Sequence, residues 1–362
     1  MTSDKLAIIT DTHLEARNGS ATFRQLFREY YRDVFFPYIK QNNIKTILHG
    51  GDFFDNRNHV TIAGINYIIH EFLPLLEDSG ATMYVIAGNH DTMYRNTNDL
   101  NSLAILSTSP NVNVVYDKLE IIETGGSKKI VLCPWLNAST EDLLPELQGL
   151  ATDDYILLGH FEIEGAKMYK NSKVCEHGTD AATFKGFNQV WSGHFHHKSR
   201  YGSNIQYLGA LFHYTWQDYD DWRGFHLYDP HTNELEPIEN EYCLFSAVDY
   251  ETALELDDSD LKDVVEGQFV RVYIEDEHDK VERKELISRI EKHKPVSVDV
   301  IDNTILDQVS TDDENAKQSN PENRTIDEYA DTYIKGSRHP ERAQVVFNQI
   351  LEAARSRRVE VE

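Results

Sequence analysis

Three imidazoles fall within four residues in the stretch Val190-Trp191-Ser192-Gly193-His194-Phe195-His196-His197. Histidine is the commonest metal-binding side chain. On an extended backbone His194 and His196 point the same way, which suits a shared or adjacent pair of cations. Alone, the octapeptide is equally compatible with a polar surface turn. Four other stretches share its design, an apolar run ending in polar residues: Asp11-Thr12-His13, Gly51-Asp52-Phe53-Phe54-Asp55, Gly88-Asn89-His90-Asp91 and Gly159-His160. Together Asp11, His13, Asp52, Asn89, His160, His194 and His196 make a carboxylate, amide and imidazole set without soft sulfur. It suits two first-row divalent metals such as Mn²⁺, Fe²⁺ or Zn²⁺. Glycines 51, 88, 159 and 193 are expected to turn the chain sharply before each cluster.

The elements that must carry these tips are legible as hydrophobic patterns. Leu6–Thr10, Ile44–Leu48 and Met83–Ala87 read as strands apolar on both faces, as in a buried parallel sheet. Between them, Thr22–Gln41 and about Thr61–Asp78 carry apolar residues at helical spacing, the second with Ile65, Ile68, Ile69, Phe72 and Leu76 on one stripe. The alternation predicts an α/β layer fold whose ligands collect at strand C-terminal ends. Further strands are predicted at Val112–Tyr116, Lys129–Cys133, Tyr155–Leu158, Val190–Ser192, Ile205–Leu208 and Phe225–Tyr228, with few helices between, which fits a second mixed sheet packed on the first.

A chain of 362 residues exceeds what one core usually serves. The reading divides it into a main domain (1–242), a small α+β domain (243–301), a polar acidic linker (302–324) and a helical hairpin (325–358). In the small domain, strands Gln268–Ile274 and Val296–Ile301 flank a helix near Val281–Lys292. The hairpin opens on the capping-box pattern Thr325-Ile326-Asp327-Glu328, and its two short amphipathic helices suggest a docking element for a partner. A formal charge of −26 argues against passive binding to nucleic acid or to an anionic membrane, although bound cations can invert that logic locally. Three scattered cysteines without CxxC spacing point to free thiols in a reducing, cytoplasmic setting, and no apolar stretch is long enough to span a bilayer.

Asp-x-His, Gly-Asp-x-x-Asp, Gly-Asn-His-Asp, Gly-His and Gly-His-x-His resemble the calcineurin-like metallophosphoesterase superfamily. Gly51–Arg57, Pro134-Trp135, Trp191–His196 and Arg223-Gly224-Phe225 look like the SbcD-type DNA repair nucleases, and most like the recombination endonuclease subunits of T4-like phages. The resemblance implies a four-layer α/β/β/α sandwich with a small α+β capping domain and a C-terminal helical tail that docks an SbcC-type coiled-coil ABC ATPase. It implies a cytoplasmic (host-cytoplasmic, if phage-encoded) homodimeric nuclease subunit without a membrane segment, cutting DNA as a double-strand exonuclease and single-strand endonuclease. Carried over residue by residue, Asp11, His13, Asp52 and His196 hold one metal, and Asp52 (bridging), Asn89, His160 and His194 the other. The expected ions are two Mn²⁺, with Mg²⁺, Fe²⁺ or Zn²⁺ as substitutes. Such a centre supports in-line attack on phosphorus by a hydroxide held between the ions.

His90, oriented and charged by Asp91, would stabilise or protonate the leaving oxygen. Asp55 joins the catalytic set, at a position where some relatives carry histidine. Glu15-Ala16-Arg17 departs from a glycine usual in relatives. Arg17, Arg57, Lys167, Tyr169, Lys170 and Lys173 lie on loops of the metal-bearing side and are candidates for phosphate contacts, with a solvated charge or packed tyrosine as the plain alternative. Nearby His49, His59, His70 and His197 are read as structural or supporting. Two rivals stand beside the nuclease reading: a dimetal phosphatase or small-molecule phosphodiesterase, and a noncatalytic scaffold of the same fold.

Overall fold

The computed structural model describes residues 3–170, 174–276 and 278–304, with 344 and 347. The expected hairpin at 325–358 and most of the linker therefore lie outside the described residues, as does Lys173. Two compact units are present, one of the described residues within 3–247, 257–270 and 290–298, the other of those within 248–256, 271–289 and from 299 on.

The first unit is built on two six-stranded sheets. One holds β1 (Ser3–Ile9), β2 (Ile44–His49), β3 (Thr82–Ile86), β6 (Val112–Val115), β13 (Gly224–Asp229) and β14 (Glu234–Glu239), in the order β14-β13-β1-β2-β3-β6. The other holds β7 (Glu120–Glu123), β8 (Lys129–Cys133), β9 (Tyr155–His160), β10 (Gln189–Gly193), β11 (Ser199–Tyr201) and β12 (Ile205–Tyr207), in the order β11-β12-β10-β9-β8-β7. Each sheet has four neighbouring parallel strands; in the first, β13 and β14 extend the sheet antiparallel beyond β1 and leave β6 at the other edge, and in the second β7 and β11 flank the four antiparallel. A hairpin of β4 (Thr92–Tyr94) and β5 (Thr97–Asn101) projects after β3.

Alternation along these strands divides the core into layers. Leu6, Ile8, Leu48, Ile86 and Val115 of the first sheet meet Ile130, Leu132, Ile156, Leu158 and Trp191 of the second. Ala7, Ile9, Ile47, Met83 and Val85 face the two long helices instead, with Phe23, Phe27, Phe35, Phe72 and Leu76. Val131, Leu157 and Val190 are covered from the far side by the helix Leu143–Gly149 and the turn Ala181–Phe184. Each fully buried Leu, Ile or Val contributes about 1.5–3 kcal/mol. The four-layer α/β/β/α sandwich follows from strands that are apolar on both faces.

Both long helices contain a feature that the periodicity does not show. Ala21–Tyr30 and Phe36–Gln41 are joined by a π-helical turn, Tyr31–Phe35, and Ile62–Tyr67 and Leu73–Ser79 by another, Ile68–Phe72. Each π turn is followed, after one residue, by a proline, Pro37 or Pro74. A proline supplies no N–H and clashes with the carbonyl four residues back, and the wider π turn absorbs both faults without breaking the helix. The turn also shifts the phase of the stripe. Tyr67, Ile68, Phe72 and Leu76 are buried, but Ile69 is 40% exposed, which corrects the expected stripe.

A third sheet, of order β15-β16-β17, comprises β15 (Phe245–Asp249), β16 (Phe269–Ile274) and β17 (Ser297–Asp302). In the second unit the helix Tyr250–Glu255 is tied by Arg289 to the carbonyls of Ala253 and Leu256, His278 pairs with Glu251 at 2.7 Å, and Arg283 bonds Asp302. No helix among the described residues is long and apolar enough to cross a membrane.

Candidate metal centre

The C-terminal ends of β1, β2, β3, β9 and β10 bring Asp11, Asp52, Asn89, His160 and His194 to one edge of the sandwich. Three groups of donor atoms lie there, each within a 4.8 Å span: Asp11, His13 and His196; His13, Asp52 and His90; and Asp52, His160 and His194. The middle group shares a member with each of the others, so the set is continuous. His13 Nε2 and His196 Nε2 are 3.0 Å apart, and His196 Nε2 is 3.9 Å from Asp11 Oδ1. Asp52 Oδ2 lies 3.3 Å from His160 Nε2 and 3.8 Å from His13 Nε2. Asn89 Oδ1 is 3.1 Å from His160 Nε2 and 2.9 Å from His194 Nδ1.

The charges of this edge call for cations. Asp11 and Asp52 are 0% and 2% exposed, and the ion pairs they make among the described residues are to imidazoles. Burial raises Asp11 above the ordinary carboxylate range. Burial acts the same way on Asp52, but His160 and then His13 and His90 outweigh it and hold that carboxyl well below. His13 lies well below the ordinary imidazole value and His194 at about 3, both chiefly through burial, so each ring is neutral with a lone pair to offer. Against its own burial, His160 is lifted to about 9 by Asp52. His13 Nδ1 is buried without a hydrogen-bond partner, and its nearest carboxylate oxygen, Asp55 Oδ1, is 3.5 Å away. Buried carboxylates, the neutral rings of His13 and His194 and an amide oxygen on a shared edge fit two hard-to-borderline divalent ions.

Backbone geometry differs from the sequence expectation in two ways. The sharp conformations belong to the polar residues themselves: Asp11, His13, Asp52 and His194 have φ of 50°, 40°, 53° and 84°. Left-handed backbone costs a non-glycine residue on the order of 1–3 kcal/mol and clusters at functional sites. Of the four glycines only Gly51 (φ 93°) turns this way; the other three allow close approach. A Cβ on Gly88 would sit 2.2 Å from Asp52 Oδ1, one on Gly159 2.1 Å from the Phe161 ring, and one on Gly193 2.2 Å from Thr10 Oγ1. Gly88→Ala should therefore displace Asp52, cost about 1–3 kcal/mol and abolish tight Mn²⁺ binding, which calorimetric titration would read. The extended alternation expected for His194 and His196 is also absent, because β10 ends at Gly193. His194 turns toward Asn89 and His160, and His196 toward His13 and Asp11.

The loops are cross-tied beneath the cluster. His49, buried and lowered by burial to about 3, accepts from the Gly51 N–H at Nδ1 and so donates from Nε2 to Thr12 Oγ1, which donates to the Phe53 carbonyl. Asp91 does not orient His90, a correction to the sequence reading. Its carboxylate, pushed up by burial and then by Asp52 to about 7, accepts from the N–H groups of Gly88, Phe53 and Phe54. His90 is instead held by its Nδ1–H on the Asp55 carbonyl at 2.6 Å, while its backbone N–H donates to Asp52 Oδ1 at 2.8 Å. The Asp55 side chain is about one-third exposed, and burial leads a net rise in its pKa.

The supporting residues that sequence reasoning missed lie further along. Tyr214 donates to the Asp11 carbonyl at 2.7 Å and packs its ring on His13 and His196. Trp135, quoted only as a point of resemblance, covers His194 and His160 with centroids 5.3 and 5.9 Å away. Nothing in the pattern around Tyr214 separates it from the other aromatics of a polar stretch.

The expected phosphate contacts are spread unequally. Arg17 is exposed yet fixed, with Nε on the Tyr214 carbonyl and its guanidinium 5.0–5.8 Å from the ring centroids of Phe269, Phe245 and Phe23. Arg57 is half-buried after Asp55, and Lys167 and Tyr169 are exposed on the 163–179 loop. Lys170 is bound by the carboxylate and carbonyl of Asp220, so its charge is already matched. Glu15, in the segment that departs from relatives, is buried at φ 73° and held by Arg24 and Thr61. His197 pairs with Asp221, whereas His59 and His70 are exposed.

Dinuclear phosphoester chemistry is what such an edge supports, and comparison with known proteins agrees. The model of the calcineurin-like phosphoesterases matches residues 5–198, and the chain belongs to this family, whose members bind divalent metals. It is 32% identical over 238 residues to exonuclease subunit 1 of Enterobacteria phage T4, a match covering 65% of this chain and 68% of that one. Over 85 residues, 22% of this chain and 23% of the relative, it is 33% identical to a component of the nuclease SbcCD from Staphylococcus epidermidis.

Proposed function

We propose that the chain is a metal-dependent DNA nuclease, a double-strand exonuclease and single-strand endonuclease that forms the catalytic subunit of an SbcCD-like recombination and repair complex. The observation that carries the proposal is the convergence of seven ligand-type side chains on one sheet edge, in a chain similar over most of its length to a phage exonuclease subunit. Asp11, His13, Asp52 and His196 are assigned to one ion, and Asp52, Asn89, His160 and His194 to the other, with Mn²⁺ as the working metal. When bound, such a pair supplies Lewis acidity toward phosphoryl oxygens and lowers the pKa of water toward neutrality.

The remaining work falls to the chain's own groups. His90 Nδ1–H is spent on the Asp55 carbonyl, so a proton for the leaving oxygen is handled at Nε2. Asp55 keeps His90 in place through its carbonyl, and Asp91 shapes the loop that presents both. Arg17, Arg57 and Tyr169 are assigned to phosphate contacts. A coiled-coil ABC ATPase, a second copy of the chain and the cytoplasm of a phage-infected host complete the reading. Its support is the relatives' names, one an exonuclease subunit of a phage and the other a subunit of a nuclease.

The test is a nuclease assay on end-labelled duplex and single-stranded circles with and without Mn²⁺. Mn²⁺-dependent shortening of duplex and opening of circles is expected. Hydrolysis confined to a small diester such as bis-p-nitrophenyl phosphate would move the chain to the small-substrate phosphoesterases. Because the chain carries a formal charge of −26, binding of duplex by the isolated protein should be weak, with a shallow salt slope in filter binding. Tight binding with a steep slope would contradict a partner's supplying most phosphate contacts.

A further inference from the structure

Behind the loop that carries His196 lies a set of buried charges that the family match, ending at residue 198, does not reach. Arg223 is 1% exposed and divides its donors among four acceptors: Asp218 Oδ1 at 2.6 Å, Asp221 Oδ2 at 3.0 Å, and the carbonyls of Phe212 and Trp222. Each of the two carboxylates faces an imidazole of the His196-His197 pair. Asp221 is 3.0 Å from His197 Nδ1, and Asp218 Oδ1 is 4.0 Å from His196 Nδ1. Asp218 is 6% exposed, and its other oxygen is pinned by the N–H groups of Tyr214 and Thr215 at 2.9 and 2.8 Å.

From this geometry we infer that Asp218, fixed by Arg223, is a positioning residue for the metal site that contains His196. The inference rests on the dimetal reading above. His196 has a buried carboxylate on each side: Nε2 meets His13 and Asp11, which are assigned to the same ion, whereas Nδ1 meets Asp218, which is not a ligand. With Asp11 engaged by that ion, Asp218 is the carboxylate that favours the proton at Nδ1, which leaves the Nε2 lone pair aimed at the cluster and makes it a better donor. The bond to Arg223, itself anchored on three other acceptors, and the two backbone N–H groups prevent Asp218 from swinging inward to become a ligand itself. Tyr214 joins the same device from its other end, since its N–H holds Asp218 and its hydroxyl holds the Asp11 carbonyl.

The experiment measures Mn²⁺ affinity of the full chain by titration, followed by the free-ion electron paramagnetic resonance signal, in two backgrounds that each retain one site. On His194→Ala, which keeps the Asp11–His13–His196 site, adding Asp218→Asn should weaken binding about 10–100-fold. On His196→Ala, which keeps the other site, the same change should leave affinity unaltered. Equal weakening in both backgrounds, or none in either, would overturn the inference. Should Asp218→Asn fold poorly, the wild-type protein still reports: its ¹⁵N imidazole spectrum should show His196 protonated at Nδ1, and an Nε2–H tautomer refutes the assignment. Wild-type protein that binds no Mn²⁺ would remove the dimetal reading, and this inference with it.

Discussion

Replacing His90 with alanine should leave Mn²⁺ binding intact and lower turnover on DNA by about 10²–10⁴-fold, the usual contribution of a positioned acid or base. The separation is possible because this residue meets Asp52 through its backbone. Its N–H donates to Asp52 Oδ1 at 2.8 Å, and alanine keeps that N–H. What the substitution removes is an imidazole held at Nδ1 by the Asp55 carbonyl. The loss should fall on kcat with little change in KM, since the proton is needed only as the leaving oxygen departs. The competing possibility is that His90 is itself a ligand, because its donor atom groups with those of His13 and Asp52. In that case the alanine variant would bind less Mn²⁺ in the same titration, and the acid role would be withdrawn.

How far the sequence can be read shows at individual residues. Ala7, Ile8 and Ile9 are each buried because β1 lies between the helices and the second sheet, and a strand covered on both faces must be apolar throughout. That requirement is local, so the strands and their polar tips were visible. The π turns were hidden because nothing in a 3.6-residue period marks where a helix takes an extra residue; only Pro37 and Pro74 signal it, and a proline alone reads equally as a helix end. Left-handed backbone at Asp11, His13, Asp52 and His194 was also invisible, since sequence rules assign such conformations to glycine. Here the cross-ties of His49, Thr12 and Asp91 hold residues that would not adopt them freely. Asp218 and Tyr214 escaped notice for another reason. Their partners Asp11 and His196 are distant in the chain, and the stretch from Thr215 to Asp221 has no periodicity to suggest that it folds back beneath the site.

Asp52→Asn should abolish both metal sites at once, bringing Mn²⁺ binding and activity down to the level of the metal-free protein. The substitution is isosteric and preserves an oxygen for the His90 N–H, so the loop is not expected to rearrange. It replaces an oxygen lying between His160 Nε2 at 3.3 Å and His13 Nε2 at 3.8 Å, where the two donor groups meet. An amide NH₂ there has no lone pair for a cation, and its loss is shared by both positions. Thermal unfolding gives a reading independent of catalysis. A ligand that binds only the native state at about 100 times its Kd adds roughly 2.7 kcal/mol to stability. Wild-type protein should therefore gain melting temperature on adding Mn²⁺, and Asp52→Asn should gain none; in chelator the variant should melt below wild type, because it leaves buried His160 without its carboxylate partner. If the variant kept the metal-induced rise for one site, Asp52 would belong to the other site alone, and the bridging role assigned to it would be wrong.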